Sequence, residues 1–194
     1  MPGNAANIGK RGLWRAAGWG TAAIMLLAPF VAMQYTDAVA WTAFDFAFLA
    51  TMLLCIGGTI ELTVRITDDK AFRAAVGVAL AAAFFLVWLT GAVGIIGGED
   101  DPANLMYGGV LGLAIAGALI ARFRPHGMAY AMMATALAQV LVAAVALIAG
   151  MGRGTPKWPW DILVLTGFFV ALWALSAALF RESAAKNALP GLRA

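Results

Sequence analysis

Six stretches of about 20 apolar residues, parted by short charged or Gly/Pro-rich breaks, leave this chain little choice of fold. A helix of that length crosses the roughly 30 Å hydrocarbon layer of a bilayer. The stretches run approximately over 13–33, 41–63, 71–96, 105–121, 128–148 and 160–180. None alternates polar and apolar residues with the period of two that a transmembrane barrel strand requires. The expectation is an all-α polytopic membrane protein, a six-transmembrane-helix bundle with antiparallel sequential spans. No segment outside the spans is long enough to bury its own core, so a single domain over 1–194 is expected. Composition agrees. The chain is 63% hydrophobic and 12% charged, whereas soluble domains are about a quarter charged. That balance excludes disorder and a nucleic-acid partner. A single cysteine and a single histidine exclude an intramolecular disulfide, a multi-Cys site and paired-His ligation, so no cofactor and no metal is expected.

Direction follows from the basic residues. With six spans, Lys10, Arg11, Arg15, Arg65, Lys70, Arg73, Arg122, Arg124, Arg181, Lys186 and Arg193 share one side, and only Arg153 and Lys157 lie on the other. The eleven-to-two asymmetry puts both termini in the cytoplasm, an N-in/C-in topology. A cleaved secretory signal ending at Ala38-Val39-Ala40 is the competing interpretation. Its apolar run of about 20 residues exceeds the 7–15 of a signal core.

Ionisable residues deep in a span mark ion pathways because they are costly there, and the bilayer centre of this chain has none. Glu61 sits near the cytoplasmic end of span two with Arg65 one turn on, which predicts a local ion pair. Gln139 is the exceptional deep polar residue, and its amide is expected to bond across to a neighbouring helix. A substrate contact is the sharper alternative. Cys55 is expected to be a buried, inert thiol. An outer rim of Asp45, Glu99, Asp100, Asp101 and Asp161 resembles a cation mouth, but most of it has a plainer explanation. Thr42-Ala-Phe-Asp45 has capping-box spacing, Asp101-Pro102 pairs an N-cap with a proline at the first helical position, and Asp161 lies in a first turn. Glu99 and Asp100 are left over, and the loop Glu99-Asp100-Asp101 could still hold a hard divalent cation through oxygen ligands. Gly108 and Gly112 form a Gly-xxx-Gly step, expected to face another helix.

Three strings carry a resemblance: Trp41-x-x-x-Asp45-Phe46, Ala92-Val-Gly-Ile-Ile-Gly97-x-Glu-Asp-x-Pro102-Ala-Asn-Leu105, and Ala121-Arg-Phe-Arg-Pro-x-Gly127-Met128. Over most of its length the chain resembles a family of small, uncharacterised multi-pass bacterial inner-membrane proteins. That resemblance implies the bacterial cytoplasmic membrane and brings no known activity.

With no nucleophile–base pair and no ligand set, an enzyme is not expected. Minimal loops and small-residue faces favour a non-enzymatic structural or accessory membrane subunit, in contact with the lipid bilayer and compatible with a homo-oligomer or a larger membrane complex. The alternative is a channel or uncoupled permease for a cation or small solute, with the acidic rim as its mouth.

Overall fold

The structure, a computed structural model, describes residues 3–188, with side chains from Gly12 to Ala188. Lys10, Arg11 and Arg193, counted above on the basic side, lie outside the described side chains. Among the described residues the fold is all-α, 79% helical, with no strand. Helix α1 spans Gly3–Ala32, α2 Ala43–Ile66 and α3 Lys70–Ala92. A 3-10 turn, Pro102–Leu105, leads into α4, Met106–Ile120, followed by α5, Pro125–Ile148, and α6, Trp160–Ala188. Six helices are long and apolar enough to cross a membrane, α4 only when its 3-10 turn is included.

Helix ends follow local chemistry. Asp69 accepts the Ala71 amide and starts α3, Asp101 accepts the Ala103 amide ahead of Pro102, and Pro125 opens α5. The apolar run expected to reach residue 96 stops being helical at Ala92. Gly94 adopts φ +75° there, and its amide joins that of Val93 on the Leu89 carbonyl. At the far end α6 runs about two turns past the expected residue 180.

The chain divides into two compact units, Met1–Leu62 and Thr63–Ala194, where the apolar pattern alone suggests one. In the first unit α1 and α2 meet through long side chains. Phe30 stands edge-on to Phe46, and Trp19 lies against Gly57, where a Cβ would come within 2.9 Å of the indole. In the second unit α5 packs on both α4 and α6, and α6 packs on α3. Its core is filled by Tyr107, Phe169, Trp173, Phe180, Leu86 and Ile162, each buried.

Alanines on the inner face of α5 (Ala129, Ala131, Ala136, Ala143 and Ala146) let its neighbours come close. The tightest step on α4 is Gly117, where a Cβ would stand 2.7 Å from that of Ala131. This corrects the expectation for Gly108 and Gly112. Within the second unit both are exposed, with no described atom beyond their own helix backbone within 4 Å of a Cβ. The reason is phase: at 100° per residue, Tyr107, Val110, Ala114 and Gly117 share one face, and Gly108 and Gly112 lie roughly opposite. Gly117→Leu should therefore lower stability by about 1–3 kcal/mol through overpacking. Gly112→Leu should melt like the parent in the same detergent-solubilised thermal assay.

Candidate functional site

At one end of the second unit the chain leaves the helices, and Asn104 holds the departing backbone. Its Oδ1 accepts the amides of Ile95 (2.9 Å) and Ile96 (3.0 Å). Its Nδ2 donates to the carbonyls of Ile96 (3.1 Å) and Gly98 (2.8 Å). One buried side chain thus replaces the ladder that α3 loses at Ala92, and Ile95 and Ile96 become fully buried. The 149–159 loop closes over the same place. A Cβ on Gly152 (φ +73°) would meet the Gly97 amide nitrogen at 2.7 Å, so the two loops touch backbone to backbone. The Trp158 indole donates to the Met151 carbonyl, and the Arg153 guanidinium lies 5.3 Å from the centre of the Trp158 ring.

The acids of the rim are distributed among helix ends. In the first unit Asp45 and Thr42 form a reciprocal capping box: Thr42 N and Oγ1 donate to Asp45 Oδ2 at 2.7 and 2.8 Å, and Asp45 N donates to Thr42 Oγ1 at 3.4 Å. In the second unit Asp101 caps the 3-10 turn. Asp161 accepts the Ile162 amide with Oδ1 and the Thr155 hydroxyl with Oδ2 (3.4 Å). Glu99 and Asp100 are exposed in the turn before Asp101. Among the described residues no three His, Cys, Asp or Glu side chains come together as a metal site.

Beneath the Asn104 end lies a polar interior. The Tyr107 hydroxyl is within reach of the Thr166 hydroxyl and of the field of Asp161, yet neither hydroxyl meets a partner in hydrogen-bonding geometry. Gln139 is fully buried, and both ends of its amide are unmet by any described protein group. The interhelical bond expected of Gln139 is absent among the described residues. Thr135 gives its hydroxyl to the Ala131 carbonyl of its own helix, and Ser176 reaches from α6 to the Ala75 carbonyl of α3 at 2.9 Å.

At the opposite end of this unit Asp69 caps α3, and its carboxylate also faces the buried Ser183 hydroxyl. Desolvation raises the Asp69 pKa, but the Ser183 hydroxyl, the Ala71 and Phe72 amides and the Lys186 charge outweigh it, leaving the carboxyl below its usual value. Nearby, Arg73 pairs with Asp68 (2.8 Å) and donates to the carbonyls of Val64 and Thr67. His126 meets Tyr130 edge-on at 5.0 Å.

In the first unit Glu61 is gripped from α1. Arg15 donates Nε to Oε1 (3.0 Å) and Nη2 to Oε2 (2.9 Å), and the Trp19 indole donates to Oε1 (3.0 Å). The sequence pointed to Arg65, one turn along α2, and gave no sign of Arg15 and Trp19 from α1. Cys55, expected to be buried, is exposed on α2.

Comparison with protein-family models, curated proteins and solved structures gives no match.

Two outcomes follow from these contacts. Asn104→Ala strands the Ile95 and Ile96 amides and the Ile96 carbonyl, while Gly98 keeps the Asp101 amide, and should cost roughly 2–4 kcal/mol, with new protease cleavage between 93 and 101. Because the folded Asp69 carboxyl lies below its usual value, its contribution is complete above about pH 4 and is lost as pH falls further. Asp69→Asn should flatten the acid limb of a plot of melting temperature against pH.

Proposed function

We propose that this chain is a multi-pass protein of the bacterial inner membrane, with both termini cytoplasmic, acting as a non-enzymatic structural or accessory subunit. The observation that carries this reading is the closed Asn104 end of the second unit. The loops there are tied down, Ile95 and Ile96 are buried beneath them, and large side chains fill the core below. Three of the five rim acids are engaged at helix starts, which supports a capping role for them. The basic asymmetry supports the direction, and the resemblance to small inner-membrane proteins supports the location. Apolar surface faces outward along much of the chain, on Leu13, Ile24, Ile115, Ile120 and Ile148 among others, as lipid contact or assembly into a homo-oligomer or a larger complex requires. One observation favours the second reading, an uncoupled permease or channel for a cation or small solute: the unpartnered polar interior around Gln139.

Three measurements decide. In a Cys55→Ala background, Lys70→Cys and Arg124→Cys should react with a membrane-impermeant maleimide only from the cytoplasmic side, and labelling from the periplasm overturns the topology. Liposomes containing the protein should pass no more potassium, sodium or protons than empty ones, and a clear flux installs the permease in its place. In native membranes solubilised gently, the 20.2 kDa chain should migrate in a larger assembly. Migration as a monomer removes the subunit reading.

A further inference from the structure

Apart from Asp69 Oδ2 and Ser183 Oγ at the opposite end, five buried polar atoms on four side chains of the second unit meet no partner among the described residues: Tyr107 Oη, Thr166 Oγ1, Gln139 Oε1 and Nε2, and Trp173 Nε1. All four residues are buried, Gln139 completely, and they come from three helices, α4, α5 and α6. Threonine and serine can quiet a hydroxyl on a helix carbonyl, as Thr135 and Ser176 do in the same core. An indole N–H and a primary amide have no such local remedy. Buried groups of this kind are normally hydrogen-bonded, to ordered water where protein does not serve.

Their levels agree. By helical rise Thr166 lies about 9 Å, Gln139 about 13 Å and Trp173 about 20 Å from the helix ends flanking the 149–159 loop. Side chains lean toward the N-terminus of their helix. In the antiparallel pair of α5 and α6 the Gln139 amide therefore leans deeper and the Trp173 indole leans back toward it. Tyr107 and Thr166, already within reach of each other, sit above. Deeper in the core stands the edge-to-face pair Phe72–Phe180, 5.2 Å between centroids.

The guest these groups fit is neutral, because the core offers no countercharge. It is small, because Phe169, Trp173, Phe180 and Tyr107 already fill the space. It both donates and accepts, because the indole only donates while the amide does both. We propose that the core binds ordered water, about two molecules at three hydrogen bonds each, held by Gln139 and Trp173 at the inner end and by Tyr107 and Thr166 at the outer. The proposal does not rest on the accessory-subunit reading, since a sealed bundle and a permease hold such a site equally well.

X-ray radiolytic footprinting of the purified protein tests it, because radicals generated from bound water oxidise the side chains beside that water. Rates are normalised to those of the unfolded chain. Tyr107 and Trp173 should be labelled well above the equally buried Met132 and Phe169. Gln139→Leu should lose the label at Trp173, whereas Thr135→Val, whose hydroxyl serves its own helix, should keep it. The proposal is overturned if Tyr107 and Trp173 label no faster than Met132 and Phe169, or if Gln139→Leu leaves their labelling unchanged. Equal labelling of all four residues, the mark of a core that opens to solvent, overturns it too. A melting curve and circular dichroism spectrum of Gln139→Leu matching the parent's establish that its loss of label reports the site and not unfolding.

Discussion

A backbone that stops being helical at the edge of an apolar core must find its hydrogen bonds in nearby protein. The stretch after α3 meets that demand through Asn104, whose amide matches two N–H groups and two carbonyls nine residues or fewer away in sequence. Much else depends on this match. It allows Ile95 and Ile96 to turn inward, sets the Gly97 backbone where Gly152 meets it, and fixes the 3-10 turn that lengthens α4. The loop behaves as an extension of the core.

The two units hold themselves together by different physics. In the second, alanines and Gly117 bring helices close, and contact is made by dispersion over small side chains. In the first, α1 and α2 are bridged by the longest groups available, a guanidinium and an indole converging on one carboxylate. Gly57 serves that bridge by clearing room for the indole. A glycine thus admits a backbone in one unit and an aromatic ring in the other.

Span number and helical class were legible because length and hydropathy are local properties. Caps were legible for the same reason: Thr42 with Asp45, and Asp101 with Pro102, act within a single turn. What depended on distance or phase was not. Arg15 lies 46 residues from Glu61, so its grip on that carboxylate left no local signal. Gly108 and Gly112 have the spacing of a packing motif, but spacing does not say which side of the helix is covered, and Gly117 holds that position. Asn104 stood in plain sight between a proline turn and an apolar span. Its signal was combinatorial, a lone amide beside three glycines that must break a helix. Gln139 was singled out by its depth, and only the packing around it showed that no helix answers it.

The link from Ser176 to the Ala75 carbonyl also orders events in time. The two residues are 101 positions apart, and α3 finds its main neighbour in α6, the last of the six helices in chain order. At about 5–20 residues per second, α3 waits roughly 5–20 s for that neighbour while α4 and α5 pair beside it. Its sequence suits the wait: between Arg73 and Ala92 it has no charged residue, and Thr90 bonds carbonyls of its own helix. Among these six helices the closing step is therefore a clasp, α6 packing on a helix made three hydrophobic segments earlier.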